Sequence, residues 1–529
     1  MTVQRSPAPG AFAKFSGLTL LLIALITLGI LFRFTHLDRQ VYWHDEARTS
    51  LYLSGYGVSE LNQEMFTGQP ATVADLQRFQ RLRPERSVGD TVAVLATYNS
   101  QHPPLYYVLA RLWAGLAGDS VTAIRAGSAL MSLLALPFAY WLGWELFQSP
   151  SYAALLTGLV AISPFHIMYA QEARQYGLWT AMVLFSCAAL LRALRRPSPR
   201  WWLLYALSLT LGLYTFLLTV LVMISHGIYV LAMQGFRLTR PLSQYLLATA
   251  VSGVLIAPWL VQVVIQSSRV GSSINWLSNS RSLQELARSW IADVSRVFVD
   301  FNLGSDDPLL LSLPIVLAVA ALVGYALLFL IRRAPVAAWA FIILLGGVTA
   351  LGMVVPDILL GGQRSSVSRY LIPTWLSLQL AVAYWMNVVL TTESRGRRLW
   401  QRGAIALLLV MAILSNGAIL QADTWRTKYS GQDQPAIVEL INQSPRPLLV
   451  SSNYYGINTG ELLSLSHALS DTVTLLLVLE PQELPPLPEG YSDLFLFNPS
   501  PNLQSTLQAR GYSLDMRHGS GLLWQATRP

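Results

Sequence analysis

Two adjacent carboxylates and a histidine stand together in the run Tyr42-Trp43-His44-Asp45-Glu46-Ala47-Arg48. In a chain with only 12% charged residues that density is unusual. A carboxylate such as Asp45 can take a proton as a general base, or hold a metal ion with His44 or Glu46; an interfacial turn with solvated charges would read the same way. A second stretch runs from Ser163-Pro164-Phe165-His166 through Tyr169-Ala170-Gln171-Glu172-Ala173-Arg174-Gln175-Tyr176. Ionisable groups held at membrane level are costly and tend to face a cavity or one another, so Glu172 and Arg174 either line a cavity or pair. His102 opens a Pro103-Pro104-Leu105 segment whose prolines are ordinary helix starters. Arg125 poses a choice between a site residue and an end-of-helix anchor. Arg364 and Arg369 flank Ser365-Ser366-Val367-Ser368, ahead of Tyr370-Leu371-Ile372-Pro373. Guanidinium groups among hydroxyls suit phosphate oxygens, and they suit an interfacial anchor too. Walker loops, zinc-type Cys/His arrays, His-Glu-x-x-His and Gly-x-Ser-x-Gly elbows are all absent from the sequence.

These residues are far apart along the chain, so other elements must bring them together, and composition says which. Of 529 residues, 53% are hydrophobic, and the charged share is half the roughly 25% of an average soluble domain. Mean hydropathy is +0.45. A disordered chain is excluded and the balance runs against an ordinary cytosolic enzyme, because so much apolar surface needs lipid to face. The net charge of +8 does not point to nucleic acid, since the arginines sit in short clusters between apolar runs. A single cysteine, Cys187, rules out an internal disulfide.

Apolar runs lie at 17–34, 123–147, 151–168, 176–194, 201–234, 241–263, 309–331, 336–355, 371–390 and 403–421. The first follows a basic leader with Arg5 and Lys14 and lacks a small-residue cleavage site, so it reads as an uncleaved helix. Between the runs sit basic clusters at Arg192/Arg195/Arg196/Arg200, Arg237/Arg240, Arg332/Arg333 and Arg395/Arg397/Arg398/Arg402. Short Arg-rich loops belong on the cytoplasmic side. All four fall there only if Pro104–Gly118, 15 residues long, lies along the interface rather than crossing, and if 201–234 is a hairpin turning near Leu213–Phe216. The expected architecture is a multi-span α-helical membrane protein of about eleven spans, with the amino terminus inside. An interfacial helix is expected over Leu283–Val297. After Gln421 the composition becomes that of a soluble domain. A helix at 435–443 and strands at 448–452, 473–479, 494–497, 512–516 and 522–526 give a small α/β domain on the outer face, dividing the chain into 1–421 and 422–529.

The outer Asp-Glu after helix one, His-Pro-Pro-Leu, Arg125, Ser-Pro-Phe…Gln-Glu-Ala-Arg-x-Tyr and Ser-Arg-Tyr-Leu-Ile-Pro occur in that order. Together they resemble membrane glycosyltransferases of the GT-C fold, in the group of protein O-mannosyltransferases (glycosyltransferase family 39) and bacterial aminoarabinose transferases. The likeness spans about residues 17–375. It implies an integral protein of the bacterial inner membrane that takes a sugar from a polyprenyl-phosphate donor and passes it, with inversion, to a protein, lipid or polysaccharide acceptor on the outer face. It further implies Asp45 as the base with Glu46 beside it and Glu172 in the same catalytic group. His44, His102, Arg125, His166, Arg174, Tyr176, Arg364, Arg369 and Tyr370 would then bind substrate, the arginines 174, 364 and 369 holding the departing phosphate. Some relatives carry a histidine where this chain reads Tyr214-Thr215-Phe216, the nearest being His226; a divalent metal is therefore an open question, and no other cofactor is implied. The rival readings are a transporter or flippase of lipid-linked sugars, and a glycan polymerase or ligase.

Overall fold

The computed structural model describes residues 17–303, 309–391 and 399–528. The leader with Arg5 and Lys14, and Arg395, Arg397 and Arg398 of the last basic cluster, lie outside the described residues. Among those described, seven helices are long and apolar enough to cross a membrane: Gly17–Phe34, Val121–Phe147, Tyr176–Arg195, Arg240–Ile265, Ser312–Arg333, Val336–Leu360 and Leu399–Gln421. An eighth crossing arises if Pro150–Ile162 and Pro164–Ala170, bent by 59°, act as one. The difference from about eleven has a physical origin. The hairpin forms as Pro199–Thr215 and Thr219–Met233, but these are only 17 and 15 residues long. Ile372–Thr391 is 20 residues long but carries Thr374, Ser377, Gln379 and Asn387; it is buried by neighbouring helices along most of its length, so it needs less apolar surface.

The bent pair sets up the loop that matters most. Pro164 has no N–H to give to the carbonyl of Val160, so the helix must break there. Arg33, at the end of Gly17–Phe34, fills the gap: Nη1 donates to the carbonyls of Gly29 and Ala161 at 2.6 Å each, and Nη2 to Val160 at 3.2 Å. Asn416 Nδ2 donates to the carbonyl of Ile162 at 2.7 Å. Helix one approaches Ala161 so closely that a Cβ on Gly29 would overlap its backbone. The chain leaving Ala170 is thereby fixed beside the point where the first helix ends.

The segment after the first spanning helix folds as short helices, two of them opened by capping boxes at Thr72/Asp75 and Ser87/Asp90. The Pro104–Gly118 stretch forms helix Leu105–Ala117, about 20 Å long and too short to span. Leu283–Arg296 forms the other expected helix.

The carboxyl-terminal part is a sheet with helices on both faces. Its strands are β1 (Thr67–Thr72), β2 (Pro447–Ser452), β3 (Thr474–Val478), β4 (Asp493–Phe497), β5 (Ser513–Met516) and β6 (Leu523–Thr527), in the order β1-β3-β2-β4-β6-β5. The central strand β2 is buried throughout and runs parallel to β3 and β4; the other pairings are antiparallel. The strands after residue 447 lie where the sequence places them. β1 was not foreseen: it comes from the segment after the first spanning helix, more than 400 positions earlier than its partner β3, and carries Pro70, which an edge strand tolerates. Helix Asn458–Leu465 lies between this sheet and helix His44–Leu53.

Candidate active site

Helix His44–Leu53 starts a few residues after the first spanning helix ends, and its first turn holds both carboxylates. They have opposite environments. Glu46 is fully buried and saturated: Arg125 donates to Oε1 at 2.8 Å and Oε2 at 2.7 Å, Lys428 Nζ to Oε2 at 3.0 Å, and the Ala173 N–H to Oε1 at 2.8 Å. Burial pushes this carboxyl up, but Arg125 first and then Lys428 outweigh it and bring it down to about 2. Arg125 also donates to the carbonyls of Leu37 and Gln40 from Nη1 and of Val41 from Nη2, at 2.7 to 2.9 Å. This knot ties helix His44–Leu53, the loop at Ala173, the Arg125 helix and the carboxyl-terminal segment to one point.

Asp45 is different. Its side chain keeps 18% of its surface open, with His44 Nε2 at 3.3 Å, Arg369 Nη2 at 3.8 Å and Arg174 Nη2 at 3.9 Å. The two arginine distances are ion-pair contacts and too long for hydrogen bonds. Burial raises the Asp45 carboxyl, yet Arg174 first, then His44 and Arg369, hold it well below the ordinary value. The Nε atoms of Arg174 and Arg369 are buried with no hydrogen-bond partner. Arg369 lies 5.6 to 5.7 Å from the ring centres of Trp43, Tyr176 and Tyr370, an aromatic collar that fixes it as a cation. Arg174 is steadied by the Tyr107 hydroxyl at 3.1 Å and by His102 Nε2 at 3.3 Å. Arginine can only donate, so Nε2 of His102 accepts, and the Gln175 amide lies 3.1 Å from its Nδ1. Burial, reinforced by Arg174, takes His102 down to about 3, so the ring is neutral.

His44 bridges to the carboxyl-terminal part: Nδ1 lies 2.7 Å from Ser430 Oγ and 3.3 Å from Glu461 Oε1. Burial pulls its pKa down, but the Asp45 charge, followed by Glu461, leaves it raised. Glu172 is buried with neither carboxylate oxygen hydrogen-bonded. Burial first, then the Glu46 charge, pushes it up to about 7. It does not pair with Arg174, whose contact with it is from backbone N–H to backbone carbonyl at 2.7 Å.

The structure thus brings Asp45, Glu46, Glu172, His44, His102, Arg125, Arg174, Tyr176, Arg369 and Tyr370 into one neighbourhood. It does not bring Arg364 there: that guanidinium is committed to Asp357 Oδ1 at 3.1 Å and the Gly361 carbonyl at 2.9 Å. His166 is also elsewhere, hydrogen-bonded at Nε2 to Gln379 Oε1 at 2.9 Å and buried between helices. Among the described residues no group of three or more His, Cys, Asp or Glu is arranged to hold a metal ion. The donors nearest Asp45 do not fit one, since His44 is engaged by Ser430 and Glu461, and Glu46 by Arg125 and Lys428. Residues that sequence reasoning missed are Lys428, Ser430, Glu461 and Tyr107. Lys428 left a trace: it is one of two lysines among 36 basic residues.

Residues 101–261 match the family model described as dolichyl-phosphate-mannose-protein mannosyltransferase. That segment carries His102, Arg125, Glu172 and Arg174, while Asp45 and Arg369 lie on either side of it. No curated protein matches the chain. The fold is similar to crystal structures of ArnT from Cupriavidus metallidurans. With the form bound to undecaprenyl phosphate the TM-score is 0.54 at 15% identity, covering 96% of this chain and 97% of that one. With the apo form it is 0.56 at 15% identity, covering 97% and 98%. The archaeal oligosaccharyltransferase AglB from Archaeoglobus fulgidus aligns at a TM-score of 0.47 and 11% identity, over 98% of this chain and 75% of that one. The chain is thus an integral membrane protein with a GT-C fold like that of the ArnT structures, in which residues 101–261 match the mannosyltransferase family model.

Proposed function

We propose that this protein transfers a sugar from a polyprenyl-phosphate donor to a hydroxyl or amine acceptor, with Asp45 as general base and Arg174 and Arg369 as the phosphate clamp. The observation that carries the reading is the pair of guanidinium groups beside a partly open carboxylate, each with a buried, unused N–H. The acceptor oxygen or nitrogen attacks the anomeric carbon as Asp45 takes its proton. The bond from that carbon to the phosphate oxygen breaks on the opposite face, and its electron pair leaves with the phosphate, giving inversion. Fixed cations in a partly dry site stabilise the charge that develops there. The same arginines depress the basicity of Asp45 in the free protein. A bound phosphate competes for their charge, so donor binding itself restores the proton affinity that the base needs.

Glu46, Arg125 and Lys428 act as positioning residues, because their polar atoms are spent on one another. Glu172 faces the same neighbourhood as an uncharged or half-charged acid. The outer-face location rests on charge: helix Tyr176–Arg195 is about 30 Å long and ends in Arg192 and Arg195, so a positive-inside orientation puts Tyr176 and the site outside. We place it in a bacterial inner membrane on the same reasoning as the resemblance. A flippase would need polar groups near the bilayer midplane on repeated, broken helices; here they gather at one end.

The test is to supply purified protein in bilayers with radiolabelled polyprenyl-phosphate sugars. Wild type should release or transfer sugar from at least one donor, while Asp45→Asn binds the lipid phosphate and turns nothing over. Full turnover by Asp45→Asn would remove Asp45 from the reaction.

A further inference from the structure

The sheet carries a further feature, apart from the Asp45 neighbourhood. Helix Asn458–Leu465 follows β2 and packs with Leu449, Leu475 and Phe495 on one face; helix Pro501–Ala509 follows β4 and packs with Leu448, Val450 and Leu496 on the other. Parallel strands whose outgoing connections turn to opposite faces leave a crevice at their carboxyl ends, the usual ligand position in open α/β sheets. Here those carboxyl ends are the loop after β2, Asn453-Tyr454-Tyr455-Gly456, and the turn after β4 at Asn498. The floor between them is rigid: Asn458 Nδ2 donates to the Ser452 carbonyl at 2.8 Å and the Asn498 carbonyl at 3.2 Å, and Asn498 Nδ2 donates to Asn458 Oδ1 at 2.6 Å.

Two large aromatic side chains stand open at this point. Tyr454 is 55% and Tyr455 39% exposed, edge to face with ring centres 4.8 Å apart. The loop is also tied to the site. Arg48, one helical turn after Asp45, donates from Nη2 to the Gly456 carbonyl at 2.7 Å. Helix Asn458–Leu465 comes so near that a Cβ on Gly460 would crowd Arg48 and His44. Tyr429, 52% exposed, sits edge-on to Trp43 and His44, within the electrostatic reach of Asp45 and Arg48.

We propose that this crevice is an acceptor subsite in which Tyr454 and Tyr455 stack on the ring face of a neutral carbohydrate, making a glycan the acceptor of the transfer. This rests on the glycosyltransferase reading above. The chemistry favours a sugar over other occupants. The loop lacks the glycine-rich turn that cradles a nucleotide phosphate, and Arg48 spends its Nη2 on the Gly456 carbonyl. Sugar rings offer C–H faces to aromatic rings and hydroxyls to groups such as Asn453 and the tyrosine O–H. Arg48 couples the subsite to Asp45 through one turn of helix, which holds a stacked acceptor in register with the base.

The experiment titrates the full-length protein in detergent with neutral oligosaccharides of glucose, mannose and arabinose, read by saturation-transfer NMR, alongside undecaprenyl phosphate binding. At least one oligosaccharide should bind, Tyr454→Ala/Tyr455→Ala should weaken it about tenfold or more, and Tyr454→Trp/Tyr455→Trp should retain it. Undecaprenyl phosphate should bind all three proteins equally. If no oligosaccharide binds the wild type, or the double alanine variant binds as well as wild type, the subsite is refuted while the donor reading stands. If the double alanine variant changes only how deeply a spin label on this loop enters the bilayer, the tyrosines are membrane anchors and the proposal also fails. Absence of undecaprenyl phosphate binding in the wild type would instead count against the transfer reaction itself.

Discussion

Glu46→Gln separates a positioning carboxylate from a reacting one. The substitution keeps the shape of the side chain and removes one negative charge from a position of 0% exposure. Arg125 and Lys428 then lie buried with nothing to balance them, and one amide hydrogen meets a donor instead of an acceptor. Breaking a buried ion pair from one side costs ~3–5 kcal/mol. The shift of Glu46 from 4.5 to about 2 gives a similar figure, about 3 kcal/mol at 1.36 kcal/mol per unit. The variant should therefore unfold at lower temperature in detergent, read by fluorescence-detected chromatography after heating. Adding Lys428→Met removes one of the stranded cations, so the double variant should recover part of the loss, a coupling that a thermodynamic cycle measures. The pH dependence has a definite sign. Because the folded pKa is depressed, this contribution is present above 4.5 and disappears as pH falls towards about 2; Glu46→Gln should flatten that part of the wild-type acid profile. A Glu46→Gln protein with wild-type melting behaviour and intact lipid-phosphate binding, but no turnover, would show that Glu46 takes part in the chemistry and that the structural account is wrong.

Arg369→Gln and Arg174→Gln should each weaken undecaprenyl phosphate binding by about tenfold or more, whereas Arg364→Gln should leave it unchanged and act on stability alone; equal losses in all three, measured by lipid titration, would contradict the division drawn between these arginines. Glu172→Gln should have the opposite pH signature to Glu46→Gln. The folded pKa of Glu172 is raised to about 7, so wild-type stability is full below 4.5 and declines as pH rises through 7, and the neutral amide should abolish that decline in thermal unfolding at pH 5 and pH 8. Arg33→Met should lower the melting temperature and, because it loosens the break at Ser163, should also weaken lipid-phosphate binding at Arg174; a change in neither would disconnect the bent helix from the site.

Much of this molecule can be read along the chain where a local pattern decides it. The strands after residue 447 are short apolar runs bounded by turns, and the Asp-Glu pair stands out against a charge-poor background. What could not be read depends on which partner reaches a side chain first. Arg364 and Arg369 look alike in sequence. Asp357, near the end of the preceding helix, captures the first, leaving the second to the ring collar and Asp45. Glu46 and Asp45 are neighbours in one helical turn, yet they point to different partners, and only the position of Arg125 and Lys428 distinguishes them. Strand β1 carries Gly68 and Pro70, which argue against a strand by local propensity; its place comes from the free edge of β3, which local sequence cannot show.

The borrowed edge strand has a consequence for biogenesis. β1 emerges early in synthesis but has no partner until residue 478 is made, and Glu46 lacks its lysine until residue 428. The part built around this sheet must therefore wait, incompletely assembled, while the remaining helices are inserted, and then close in a late step that joins distant parts of the polypeptide. Proteolytic trimming back to the end of the last spanning helix would strip Glu46 of Lys428 and His44 of Glu461 as well as remove an appendage.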